Sequence, residues 1–428
     1  MAGTQPGLRR ELGFFEVTVS GVGVILGAGV YALLGSGAAL AGNAVWLAFG
    51  ISAIIAAFTG LSYAELSSLF PRAGAEYEYV DRAFGERTAF TIGFLIILSG
   101  IFAAATVALG FSGYFSALSG LPQVPVAAVL ILLLCILLLF GIRETALFAI
   151  VFTLIEAGGL IFLIAVGLPH LGSVDYLEMP QGWTGVFQAS ALLFFAYTGF
   201  EGIVKLSEET KNSEQTIPRA LLFSLAITII LYILVALSAV SVGGWQLVSG
   251  SDAPFTSVIQ TALGSDASYA IGIVALFATA NTALMFLLAS SRITFGMASG
   301  GSLPGILSRV WVKRGTPWAA VILVSGVALL PLAFQDISVV ASITNATLFI
   351  TFIAINAALI VLRFRCPAVP RPFRVPFSVR SIPVLPVCGI LFSLFLLAQQ
   401  EILVLVMCGV LAGIGLLVSY RTCFPQTG

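Results

Sequence analysis

Apolar stretches of twenty or so residues recur along the whole chain, and this recurrence limits its possible folds more than any other feature. A helix of about 20 apolar residues spans the hydrocarbon core of a bilayer. In lipid every backbone polar group must be satisfied internally, which leaves helices or closed barrels. The stretches fall at about 13–41, 44–70, 89–117, 123–141, 145–168, 185–207, 217–243, 269–297, 317–334, 338–363, 382–399 and 401–420. These twelve expected spans leave connections no longer than about 18–25 residues, at 71–88, 244–268, 298–316 and 364–381. No soluble domain fits between them. Only 9% of the 428 residues are charged, against about 25% in ordinary soluble proteins. The expected fold is an all-α polytopic membrane protein, a single domain over 1–428.

The charges orient the spans. If both termini are cytoplasmic, all 19 basic residues fall on one side. Arg9 and Arg10 precede span 1; Arg72, Arg82 and Arg87 follow span 2; Arg143 follows span 4. Lys205, Lys211 and Arg219 follow span 6, and Arg292, Arg309, Lys313 and Arg314 end or follow span 8. Arg363, Arg365, Arg371, Arg374 and Arg380 surround the connection after span 10, and Arg421 closes span 12. The other side holds only acids and His170. This agrees with the excess of Lys and Arg in cytoplasmic loops. No cleavable signal peptide is expected, because span 1 is too long and too Gly-rich for one. Between Pro367 and Pro386 six prolines mark an extended connector.

Several function classes are excluded or disfavoured. The net charge is zero, with no basic run of the kind nucleic-acid binding uses. Cys135, Cys366, Cys388, Cys408 and Cys423 show no CxxC or Cys/His spacing, so neither a disulfide framework nor a metal site is expected. With one histidine and no grouped nucleophile and base, an enzyme is not expected. No cofactor is implied.

Two spans carry signs of interruption. Span 1 contains Gly21, Gly23, Gly27 and Gly29 within nine residues (GVGVILGAG), and span 6 contains Gly199 and Gly202 around Glu201 (FFAYTGFEG). Gly23 and Gly27 alone read equally well as a GxxxG packing face. Four glycines exceed what one seam needs, and each weakens a helix by about 1 kcal/mol relative to Ala. The two spans are five apart, and paired interrupted helices point to a midplane site in an inverted-repeat transporter. A break frees N–H groups on one half-helix and C=O groups on the other. The first suit a carboxylate and the second an ammonium, so facing breaks make a clamp for a zwitterionic amino acid.

Three acids sit inside apolar spans: Glu65, Glu156 and Glu201. Such groups are costly and functional by default. Glu65, near the cytoplasmic end of span 2, reads as structural or gate-pairing. Glu201 follows the span 6 break, where its carboxylate can bond freed N–H groups or sense protons.

The strings GVGVILGAGVY, SYAELSSLFPRAGAEYEYVDRAFG (62–85) and FFAYTGFEGIVKLSEETKNSEQTIPRA resemble the amino acid–polyamine–organocation superfamily of transporters. So do FATANTALMFLLASSRITFGMA in span 8 and RPFRVPF (371–377). The resemblance covers essentially the whole chain. It implies a five-plus-five inverted repeat, 13–168 and 185–363, with 382–420 outside it. It also implies amino acid transport by alternating access.

Carried over residue by residue, the resemblance puts the substrate carboxylate at the amides of Gly27, Ala28 and Gly29. The ammonium falls at the carbonyls of about Ile25, Phe195, Ala196 and Thr198, beside Gly199. Phe195 matches an aromatic gate, against a plain core reading. Glu156, in the middle of span 5, takes the place of a lysine found in many relatives, with Gly23, Ala280, Asn281 and Thr282 as expected neighbours. A glutamate there can carry a proton because burial disfavours its charged form. It can also ligate sodium, or bond a neighbouring helix as a permanently neutral group. Thr282–Phe286 and Ile343–Leu348 are expected to line the side-chain pocket. Apart from Asn345 and some hydroxyls they are small or apolar, which favours small or neutral substrates.

The expected function is proton-coupled amino acid symport in the plasma membrane, with an amino acid, a proton (or sodium) and the lipid bilayer as partners. Substrate exchange without ion coupling and a non-transporting amino-acid receptor are the alternatives. The missing signalling domain argues against the receptor.

Overall fold

The computed structural model describes residues 11–71, 75–140, 142–311, 314–379 and 382–422. Arg9, Arg10, Arg72, Lys313, Arg380 and Cys423 lie outside them, as do the side chains of Arg143 and Arg421. The chain is an all-α polytopic membrane protein. Its helices are α1 (Phe14–Ile25), α2 (Gly29–Ala41), α3 (Val45–Leu69), α4 (Ala75–Phe84), α5 (Glu86–Ser119), α6 (Gln123–Phe140), α7 (Ile142–Gly167) and α8 (Gly182–Leu193). There follow α9 (Ser213–Ser249), α10 (Pro254–Leu263), α11 (Ser265–Ser299), α12 (Trp318–Val327), α13 (Ile337–Arg365), α14 (Val384–Ala398) and α15 (Ile402–Thr422).

Among the described residues, nine helical stretches are long and apolar enough to cross a membrane. Phe14–Ile25, Trp318–Phe334 and Val384–Ala398 are shorter apolar helices. In the longest stretch, Gly29–Leu69, a 3-10 turn at Gly42–Ala44 separates α2 from α3. Gly42 supplies the turn with φ +67°, a left-handed conformation that only glycine adopts without strain.

Large apolar side chains stand exposed on the outer helices, among them Leu133, Leu154, Ile161, Phe223, Ile230, Leu391 and Leu417. Aqueous proteins rarely expose such surface; against acyl chains it is at equilibrium. Inside, buried hydroxyls such as Thr106, Thr228 and Thr351 bond the carbonyl one turn back. Helix packing falls into two groups. One joins α1, α2, α3, α8 and α9; the other is built around α5, α11 and α13.

The long connections are more ordered than their composition suggests. The 71–88 connection contains α4, and 244–268 contains α10. The proline-rich connector, expected to be extended, turns back on itself instead. Ser378–Val379 pairs antiparallel with Ile382–Pro383, and Val375 is buried. Its anchor is a buried ion cluster on α3 and α13, which charge counting alone does not reveal.

Candidate functional site

Both glycine-marked interruptions are real breaks. Helix α1 ends at Ile25, and Leu26 leaves helical geometry at ψ 54°. The Gly27 N–H turns back to the Ile25 carbonyl at 2.5 Å before α2 begins at Gly29. Helix α8 ends at Leu193 and passes through a 3-10 turn, Phe194–Tyr197, to an extended Thr198. Gly199 follows at φ +109°, and a 3-10 segment runs from Phe200 to Glu209.

The two breaks pack against each other. A Cβ on Gly29 would lie 2.7 Å from Ala196 Cα and 3.1 Å from a Phe195 ring carbon; one on Gly199 would lie 2.8 Å from the Val24 carbonyl oxygen. At these two positions glycine permits the close approach of one backbone to the other. Ile25, Gly27, Ala28, Gly29, Phe195, Ala196, Thr198 and Gly199 are thereby brought into one site.

Some freed backbone groups have partners. The Tyr232 hydroxyl donates to the Ile25 carbonyl (2.8 Å), and the Ala28 N–H donates to Thr282 Oγ1 (2.8 Å). The Phe195 carbonyl accepts from the Thr198 N–H (3.1 Å) and hydroxyl (2.7 Å). Glu201 Oε2 accepts the Gly199 N–H at 2.9 Å. Asn345 Nδ2 donates to the Ala191 and Leu192 carbonyls, both at 2.8 Å, and so caps the end of α8. Phe195 is buried and packs on Phe286, ring centres 6.1 Å apart. Tyr232 was not singled out from the sequence; no motif distinguishes it from other span tyrosines.

Glu156 is 1% exposed, and neither carboxyl oxygen has a hydrogen-bond partner among the described residues. Its backbone carbonyl accepts from the Tyr31 hydroxyl at 2.8 Å. Of the expected neighbours, Gly23 packs on Thr153, one turn earlier on α7, and Asn281 lies beside both Thr153 and the Glu156 carboxyl without an aligned hydrogen bond to the latter. A Cβ on Gly23 would lie 2.9 Å from Thr153 Cγ2, and Asn281 Nδ2 donates to Thr153 Oγ1 at 3.3 Å. Asn281 Oδ1 is itself unpartnered. Thr282 turns to Ala28 rather than to Glu156. Thr153 shares a helix face with Glu156 through i,i+3 spacing, a signal the sequence carried. Among the described residues no three His, Cys, Asp or Glu side chains form a metal-binding group.

The ends of the site differ. On the acidic face a cavity of about 630 Å³ descends to Ala32 and Leu192, three residues past Gly29 and three before Phe195. Asp252, Asp336 and Glu401 line it. Asp252 accepts from Gln123 (2.9 Å), and Asp336 caps α13 through the Ser338 N–H (2.8 Å).

The basic face carries a buried ion cluster instead. Glu65, fully buried, accepts from Arg363 Nε (2.9 Å), Arg363 Nη2 (2.5 Å) and the Val375 N–H (2.7 Å), with Arg371 Nε at 3.1 Å. Arg363 also donates to Ser378 Oγ at 2.6 Å. Next to this cluster the Tyr63 ring meets Phe200, Phe352 and Tyr79 edge-on at 5.7, 6.3 and 6.4 Å. Lys205 reaches Glu76 at 3.7 Å.

The sequence profile of a family described as amino acid permease matches residues 12–413. The chain is 34% identical over 412 residues to the branched-chain amino acid permease BcaP of Bacillus subtilis, covering 91% of this chain and 88% of that protein. It is 31% identical over 407 residues to a methylthioribose transporter of the same organism, covering 89% and 86%. Against the vacuolar cationic amino acid transporter 4 of Arabidopsis thaliana, identity is 30% over 388 residues, 84% of this chain and 64% of that protein.

Proposed function

The chain belongs to the amino acid permease family, and on that premise we propose that it is a secondary transporter moving an amino acid by alternating access, coupled to protons. The observation that carries the reading is the pair of breaks packed face to face, below a cavity on one side and above a buried ion cluster on the other. In this reading the protein has twelve spans. Residues 13–168 and 185–363 are inverted repeats, each opening with its broken helix, and 382–420 adds two spans. It resides in the plasma membrane with the basic face and both termini in the cytoplasm. The arrangement is then open towards the outside.

The substrate binds by backbone. Its carboxylate meets the N-terminus of α2, where the first N–H groups of a helix lack intrahelical partners and the helix dipole adds attraction. Its ammonium meets the carbonyls of Ile25, Phe195, Ala196 and Thr198. Tyr232 and Thr282 hold two of these backbone groups until substrate displaces them, and Phe195 covers the bound molecule. The small and apolar pocket segments on α11 and α13 suit a neutral side chain, which agrees with the branched-chain substrate in the name of the BcaP relative.

Glu156 is the coupling group. An ionised carboxylate without a counter-charge is costly in a dry interior, so it holds a proton while the site is closed. When the basic face opens, water stabilises the carboxylate and the proton leaves to the cytoplasm.

Counterflow in proteoliposomes tests both parts. Unlabelled neutral amino acids inside should drive uptake of labelled ones, and their esters or decarboxylated amines should not compete. Glu156→Gln should retain counterflow and lose accumulation driven by an inward proton gradient without sodium. Accumulation that requires sodium, or persists in full in the Gln variant, overturns proton coupling at Glu156.

A further inference from the structure

At the basic end of α13, Arg363 and Arg371 both close on the single carboxylate of Glu65. Two guanidinium groups therefore face one acid, all three nine-tenths or more buried. The Arg371 Nε–H, although 3.1 Å from Glu65 Oε1, has no aligned hydrogen-bond acceptor. Beside them is a cavity of about 260 Å³, walled by Arg363, Pro367, Val369, Arg371 and Arg374. No acid lines it. Arg374 is exposed and makes no ion pair among the described residues. The wall thus presents three permanent positive charges against the one negative charge behind it. A buried excess of charge is unfavourable until an opposite charge joins it. Guanidinium groups match the paired oxygens of phosphate bidentately.

We propose that this arginine-walled pocket binds a phosphate-class oxyanion, either the head group of an anionic lipid or a soluble phosphate. Its place supports both sources. It lies on the face that carries the basic residues, where anionic head groups collect, and it opens beside the connector rather than into the substrate cavity. A bound oxyanion would neutralise the excess charge on Arg371 and Arg374 and hold the hairpin connector against α13. It would also brace the Glu65 cluster, since Arg363 and Arg371 serve both.

Thermal unfolding of the purified full-length protein in detergent tests the proposal by binding alone, so its failure leaves the transport reading standing. The probes are inorganic phosphate, short-chain phosphatidylglycerol and short-chain phosphatidylcholine, with chloride at matched ionic strength. A saturable rise in Tm with inorganic phosphate identifies a soluble source; a rise with phosphatidylglycerol alone identifies a lipid. Either supports the site if Arg374→Gln, an exposed substitution that leaves the Glu65 cluster intact, weakens the midpoint about tenfold, as expected for one charge-assisted contact. No rise with either probe, an equal rise with chloride or phosphatidylcholine, or an unchanged midpoint in Arg374→Gln overturns it.

Discussion

The acidic and basic ends of the site share helix α13 and are held by different physics. At the basic end Glu65 is fully engaged by Arg363, Arg371 and the Val375 N–H in a buried cluster, backed by the edge-on rings around Tyr63. At the acidic end Asp252 and Asp336 each accept one hydrogen bond from a neutral donor, Gln123 and the Ser338 N–H, and a cavity remains between the two packing groups. Breaking a buried ion cluster leaves charges stranded, whereas separating small or singly hydrogen-bonded polar groups in water costs little. Under the proposed alternating access, the difference puts the barrier to inward opening in the ion cluster that ties α3 to the end of α13 and its connector.

The strongest way to break this comparison is at the point where the two ends meet. Gly29→Val places a branched side chain where even a Cβ lies 2.7 Å from Ala196 Cα. Uptake and counterflow should fall to background while the protein still purifies as a monodisperse species. Overpacking of this kind costs about 1–3 kcal/mol, and here it falls on the closure itself. Normal counterflow in this variant would mean that the breaks do not approach one another during transport.

Next in size is the cluster. Glu65→Ala strands Arg363 and Arg371, and loss of one partner of a buried pair costs about 3–5 kcal/mol. Tm should drop, and Cys366, half-buried beside the cluster, should label faster with a thiol reagent, as quantified by mass spectrometry. The milder Glu65→Gln should shift labelling in the same direction. Unchanged labelling in both variants would move the barrier elsewhere.

The smallest effect belongs to the open end. Asp252→Asn removes one exposed charge from the cavity rim. KM for a cationic amino acid should rise by less than about threefold at low salt, with the difference lost at high salt. KM for a neutral one should not change. A large effect on neutral substrates would make the rim part of the binding site.

How far the site was legible depends on whether its chemistry is local. The glycine breaks in spans 1 and 6 were readable because backbone permissiveness is a property of the residue itself. The Glu201 carboxylate bonding a freed N–H was also readable, because its partner Gly199 lies two residues away. Thr153 was within reach on the face of Glu156 but lacked the cost that makes a buried acid conspicuous. Tyr232 and the partners of Glu65 were not readable, since each contact joins residues some 200 or more positions apart.

The sequence alone determined that this is a helical membrane protein and where two helices must break. These follow from solvent transfer and backbone conformation, which act residue by residue. Tertiary structure decided where the buried ion cluster forms, that the proline-rich connector folds back as a hairpin, and that Thr153 packs on Gly23 and bonds Asn281. Those outcomes depend on packing between distant segments, where ångström-scale distances decide whether a polar group finds a partner.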